Sequence, residues 1–133
     1  MVYFLVGIAG IIGASLRYLM GLPFKDTLVH GFPIATFLIN MIGCFILGGF
    51  TTFLPKLKFL SPSFVTALAT GLVGSFTTFS TFSVETVQLM IESKWGIAVI
   101  YILLSLWGGL LFSLLGYRAG MLYKRDGGME ESC

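Results

Sequence analysis

Polar residues are sparse in this chain and mark the boundaries of four long apolar runs. The first run extends from about Tyr3 to Leu22 and carries a single charge, Arg17. Pro23, Lys25, Asp26, His30 and Gly31 then form a short polar loop. The second run extends from about Pro33 to Leu54, with Asn40 its only strongly polar residue, and Pro55, Lys56 and Lys58 end it. The third, from about Pro62 to Ile91, is longer and more polar than a plain span requires, and Glu92, Ser93 and Lys94 close it. The fourth extends from about Gly96 to Tyr123, and a polar tail occupies 124–133. About 20 apolar residues of helix cross a hydrocarbon core about 30 Å thick, so each run is long enough. The pattern predicts an all-α integral membrane protein: four transmembrane helices in a single domain over residues 1–133, with both termini on one side. The loops are too short to hold a further domain, which leaves function to the helices.

Composition sharpens this picture. The chain is 56% hydrophobic and 11% charged, where a soluble domain carries about 25% charged residues. Its mean hydropathy is +0.96. So few charges cannot clothe a water-facing surface, and lipid is the expected solvent for most of the exterior. The net charge of +2 gives no footprint for a nucleic-acid partner. Cys44 lies deep in the second run and Cys133 in the tail, a pair with neither disulfide nor metal spacing. Cys44 reads most simply as a small packing residue. The first run has no basic region before it and no small-residue cleavage site after it, so it is expected to be retained. Lys56, Lys58, Lys124 and Arg125, with Arg118 nearby, face one side, and Lys25, Lys94 and Arg17 the other. This near balance leaves two readings open under the positive-inside rule. One is ordinary insertion with cytoplasmic termini; the other is insertion in both orientations with antiparallel pairing.

Small residues recur at helical spacing: Gly7, Gly10 and Gly13 in the first run, Gly43, Gly48 and Gly49 in the second, and Ser105/Gly109 and Gly116/Gly120 in the fourth. Such residues let helix backbones approach closely in lipid, within one subunit or between subunits.

Candidate chemistry concentrates in the third run, from Gly71 to Glu85. Gly74 and Ser75, followed by the β-branched pair Thr77-Thr78, make a poor helix interior. A helix broken here would free carbonyls that are tolerated only against protein, a cavity or an ion. An intact helix whose hydroxyls bond back to their own i−4 carbonyls is the alternative. Phe79 and Phe82, three apart, share a helix face. Aromatic ring edges are electropositive and could face an anion, or the pair could simply pack. The amide of Asn40 must find a partner in hydrocarbon, either an anion or a neighbouring helix. Arg17 and Glu85 are ionisable groups inside spans and so candidates for function, although both lie near helix ends. Tyr101 and Ser105, one turn apart, form a polar track or a plain helix contact.

Three motifs, Gly13-Ala14-Ser15-Leu16-Arg17-Tyr18, Asn40-Met41-Ile42-Gly43 and Gly74-Ser75-Phe76-Thr77-Thr78-Phe79-Ser80-Thr81-Phe82-Ser83-Val84-Glu85, occur in this order in the first three runs. Together with the length and the four spans, they resemble the CrcB/Fluc family of fluoride channels over nearly the whole chain. The resemblance implies a passive fluoride-selective channel in the cell membrane that exports cytoplasmic fluoride. It implies an antiparallel, dual-topology homodimer with two pores, each lined by both subunits. It also implies a third helix broken near its middle, where main-chain carbonyls of Gly74 and Thr77 from both subunits hold a structural sodium ion. Phe79 and Phe82 would present ring edges to fluoride, and Asn40 would be the amide donor. Thr81, Tyr101 and Ser105 would form the polar track, with Glu85 at a pore mouth and Arg17 in an aqueous vestibule. Some members carry a second Ser one turn beyond the position of Ser105, where this chain has Gly109; the downstream end of the track then needs water or backbone.

Other function classes fit less well. A small multidrug-type proton-coupled exporter is also tiny and four-helical, but it needs a carboxylate in the first span, which has none. An intramembrane enzyme would need a base, and the single His30 lies in a loop. A non-transporting assembly subunit would tolerate changes at Asn40 and Phe79.

Overall fold

The computed structural model describes residues 1–24, 31–54 and 60–127, the side chains of 123–127 excepted. The loop residues Lys25, Asp26, His30, Pro55, Lys56 and Lys58 lie outside the described residues, as do Cys133 and the side chains of Lys124 and Arg125. The charge comparison between the two faces therefore rests on the sequence. Four helical stretches are long and apolar enough to cross a membrane: Val2–Phe24, Ile34–Phe53, Pro62–Ile91 and Trp95–Leu122. Among the described residues there is no β-strand.

The first stretch is α1 (Val2–Gly21), ending in a 3-10 turn at Leu22–Phe24, and the second is α2 (Ile34–Phe53). The third is composite. It begins as α3 (Pro62–Thr66), widens into a π-helical segment (Ala67–Val73), returns to α4 (Gly74–Phe76), and resumes as α5 (Phe79–Ile91). The fourth is α6 (Trp95–Gly127). Ser61 starts α3: its hydroxyl accepts from the Phe64 N–H, and Pro62 occupies the first helical position, where its missing N–H is not needed. Ser93, at φ 61°, ends α5. The Lys94 N–H reaches back to the Leu89 carbonyl at 2.9 Å and the Ser93 N–H to Met90 at 3.0 Å. This is the paired closure of a Schellman turn, and it folds α6 back alongside α5.

Missing Cβ atoms set the helix contacts. α1 lies along the first half of the third span. A Cβ on Gly13 would run into the Leu72 carbonyl, and one on Gly71 would lie 2.6 Å from the Val6 carbonyl. α2 lies along α6, where a Cβ on Gly48 would meet the Ser113 carbonyl, one on Gly116 the Phe45 carbonyl and one on Gly120 the Thr52 hydroxyl. Without a hydrophobic effect between helices in lipid, such backbone approaches supply dispersion contacts that larger side chains would block. Gly109 faces Cys44, whose sulfur would lie 3.5 Å from an added Cβ, so Cys44 packs against α6. Leu103, Leu104, Leu106, Trp107, Leu110, Leu111 and Leu114 of α6 are exposed, as expected of a surface solvated by acyl chains.

Candidate functional site

The site forms where the third span stops being helical. The last bond of its first half runs from the Thr77 N–H to the Val73 carbonyl at 3.0 Å, and the Thr77 hydroxyl donates to the same oxygen at 3.1 Å. Thr77 (ψ 156°) and Thr78 (φ −144°, ψ 120°) are extended, a conformation that suits β-branched residues.

Backbone groups left unpaired in the membrane are costly, and side chains take them up. The amide of Asn40, on α2, clasps Thr78 from both sides: Oδ1 accepts the Thr78 N–H at 2.9 Å and Nδ2 donates to the Thr78 carbonyl at 3.1 Å. Thr78 in turn caps α5, its hydroxyl accepting the Thr81 N–H at 3.2 Å and donating to the Thr81 hydroxyl at 3.0 Å. In an unbroken helix the N–H of Thr78 would serve the Gly74 carbonyl and that of Thr81 the Thr77 carbonyl. Both donors are diverted, so these two carbonyls lose their helical partners. Gly74 is exposed, and nothing lies within 4 Å of where its Cβ would be.

Beside the interruption opens a cavity of about 420 Å³. Asn40, Thr77, Thr78, Phe79, Phe82 and Ser105 line it, with Met41, Cys44, Leu47 and Leu106 supplying apolar wall. The rings of Phe79 and Phe82 lie 5.8 Å apart, and the Phe79 residue is 80% exposed. Phe82 packs 5.0 Å from Tyr101, a ring buried to 0% exposure that also meets Phe32 edge-on at 5.2 Å. The Tyr101 hydroxyl donates to Glu85 Oε2 at 2.8 Å, and the Thr36 hydroxyl donates to Oε1 at 2.8 Å. On the far side of Glu85 a second cavity, of about 300 Å³, is lined by Glu85, Gln88, Glu92 and Lys94 together with the ends of α1 and α2. Lys94 pairs with Glu92 there at 2.7 Å. Ring edges, hydroxyls, one amide and one carboxylate thus follow each other from one cavity to the next.

Of the residues singled out in the sequence, Asn40, Thr77, Phe79, Phe82 and Ser105 share the first cavity, while Tyr101 and Glu85 are bonded to each other beyond it. Thr81 lies outside that lining and is exposed, as Gly74 and Ser80 are. Arg17 is half-buried on α1, one turn beyond the Gly13 contact with Phe76, and lines neither cavity. Among the described residues no hydrogen bond or ion pair reaches it. Sequence reasoning assigned no separate role to two residues of the site, Thr36 and Thr78. The signal for Thr36 was its spacing: it stands one turn before Asn40 on α2, the same face that meets the interruption.

The family model described as CrcB-like protein, Camphor Resistance (CrcB) matches residues 4–117. A protein of Bacillus cereus named fluoride-specific ion channel FluC 1 is 52% identical over 120 residues, which cover 90% of this chain and 88% of that one. A protein of Geobacillus kaustophilus named fluoride-specific ion channel FluC 2 is 48% identical over 127 residues, 96% of this chain and 98% of its own. One from Oceanobacillus iheyensis, named fluoride-specific ion channel FluC, is 43% identical over 122 residues, 92% and 93% of the two chains.

Proposed function

The chain belongs to the CrcB family, and from that premise we propose that it is a passive fluoride-selective channel of the cell membrane, which lets cytoplasmic fluoride leave and so relieves its toxicity. The observation that carries this reading is the row of contacting groups from the first cavity, through Phe82 and the buried Tyr101, to Glu85 at the second cavity. Fluoride is small and strongly hydrated, so a pore must replace its water with donors. The Asn40 amide keeps one N–H beyond its bond to Thr78, and Ser105 brings a hydroxyl to the same cavity. The edges of Phe79 and Phe82 add weak positive potential. None of these is a buried cation, which fits a site that must release its ion as well as bind it. Tyr101 extends the polar track and Glu85 stands at a pore mouth; Thr81, exposed outside that lining, would join a track only at the contact with a second copy, and Arg17, which lines neither cavity, would add positive potential from outside them.

The channel is an antiparallel homodimer. Gly74, Phe79, Ser80 and Thr81 are all exposed on one copy, and the Gly74 carbonyl, deprived of its helical donor, would be costly against hydrocarbon. A second copy carrying the same strip covers it with a self-complementary contact. Twofold symmetry then gives two lanes. The near balance of basic residues on the two faces supports insertion in both orientations. The carbonyls of Gly74 and Thr77 from the two copies would hold a structural sodium ion. The fit is chemical: neutral carbonyl oxygens that have lost helical donors, beside a glycine with open space in front of it, suit a hard cation. When bound, that ion supplies positive charge at the dimer centre.

Efflux from liposomes loaded with potassium fluoride or potassium chloride, triggered by a potassium ionophore and read with ion-selective electrodes, tests the activity. Fast fluoride release with far slower chloride release is expected. Comparable rates, or no fluoride release, would overturn the reading.

A further inference from the structure

Two carbonyls in the third span lose helical donors, and in each case a specific side chain takes the donor. Asn40 Oδ1 holds the Thr78 N–H at 2.9 Å, the group that would otherwise return to Gly74. The Thr78 hydroxyl holds the Thr81 N–H at 3.2 Å, the group that would otherwise return to Thr77. A helix staple needs one bond to any polar atom. Asn40 instead makes two bonds to one residue, accepting its N–H and donating to its carbonyl at 3.1 Å, which fixes the plane of that peptide segment as a neighbouring strand would. Gly43, one turn further along α2, supports the approach, because a Cβ there would collide with the Thr77 methyl group.

We propose that Asn40 and Thr78 are positioning residues of the cation site, Asn40 keeping the Gly74 carbonyl and Thr78 keeping the Thr77 carbonyl out of helical hydrogen bonding and available to the ion. This rests on the sodium ion proposed above. It gives Asn40 a task on the cation side of the interruption that is separate from any N–H it presents to fluoride. It also makes Thr78, whose hydroxyl bonds into the first turn of α5, as necessary to the cation as the residues that would touch it.

The test uses the full-length protein as assembled in detergent. Its thermal unfolding midpoint is followed over a sodium series at constant ionic strength, with a large organic cation as replacement, and fluoride efflux is measured in parallel. Thr78→Val keeps the β-branched shape but offers no acceptor to the Thr81 N–H, and it should raise the sodium concentration of half-maximal stabilisation by about tenfold, the scale of one lost hydrogen bond. Thr78→Ser keeps the acceptor and should stay within about twofold of the parent. Asn40→Asp keeps an acceptor for the Thr78 N–H, so it should shift the sodium midpoint less than Asn40→Leu. A folded Thr78→Val protein with the parental midpoint would overturn the proposal, as would equal shifts in the Ser and Val variants, which would mark a packing role only. A parent protein that conducts fluoride but shows no sodium dependence would remove the sodium reading itself, and this inference with it. That outcome is visible before any variant is made.

Discussion

Replacing Tyr101 with Phe removes one oxygen from a fully buried ring and leaves its packing in place. The ring contacts with Phe82 at 5.0 Å and Phe32 at 5.2 Å do not involve the hydroxyl. What is lost is the 2.8 Å bond to Glu85 Oε2, leaving the carboxylate the Thr36 hydroxyl as its hydrogen-bond partner among the described residues. Interhelical hydrogen bonds in membranes average about 0.6 kcal/mol and reach about 1.7, while bonds to charged groups in soluble proteins contribute about 1.5–3 kcal/mol. The second cavity lets water reach Glu85 from one side, which pulls the figure to the lower end of the charged range. Tyr101→Phe should therefore destabilise the fold by about 1.5 kcal/mol, close to tenfold in the unfolding equilibrium. The assay is equilibrium unfolding in mixed micelles, read from the fluorescence of Trp95 and Trp107, both on α6. A double-mutant cycle with Glu85→Met, which keeps length and removes the acceptor, isolates the pair. A coupling energy below about 0.5 kcal/mol, the level at which independent sites simply add, would refute the reasoning: hydroxyl and carboxylate would then not be holding each other in the membrane.

Further outcomes are expected elsewhere in the site. Phe79→Ile and Phe82→Ile should each slow fluoride efflux, because each takes an electropositive ring edge out of the first cavity, with the proposed dimer intact by size-exclusion chromatography; unchanged efflux would remove the rings from the pathway. Gly43→Val should destabilise by about 1–3 kcal/mol, because its side chain must displace the Thr77 methyl group that α2 rests on. Gly7→Ala, with nothing within 4 Å of the new atom, is the control and should be near neutral. Gly74→Val also meets nothing inside the chain, so helicity by circular dichroism should persist while the proposed dimer weakens and the proposed sodium dependence changes; an unaltered oligomeric state would place this face against lipid.

Single-residue hydropathy was enough for the spans, because lipid demands the same thing of every outward position. The exposed leucines of α6 needed no knowledge of their neighbours. The centre of the third span was different. Composition left Thr77 and Thr78 open between extended backbone and a helix with back-bonded hydroxyls, and both kinds of bonding are present: Thr77 back-bonds to Val73, while Thr78 turns to Asn40. Which residue does which depends on where α2 stands, and α2 is set by glycines far away in sequence, Gly43 against Thr77 and Gly48 and Gly116 against main-chain carbonyls. The Thr36–Glu85–Tyr101 cluster was hidden for the same reason, since its bonds join residues 49 and 16 positions apart. Once one cross-helix pair is known, the rest becomes readable. Asn40 and Thr36 lie one turn apart on one face of α2, and Thr78 and Glu85 lie seven residues apart along the third span, so the same two faces carry both contacts. The amide of Asn40 could be read from sequence as either anion donor or helix staple. The structure makes these uses compatible, because the clasp on Thr78 consumes the oxygen and one N–H and leaves the other hydrogen on the same nitrogen beside the cavity.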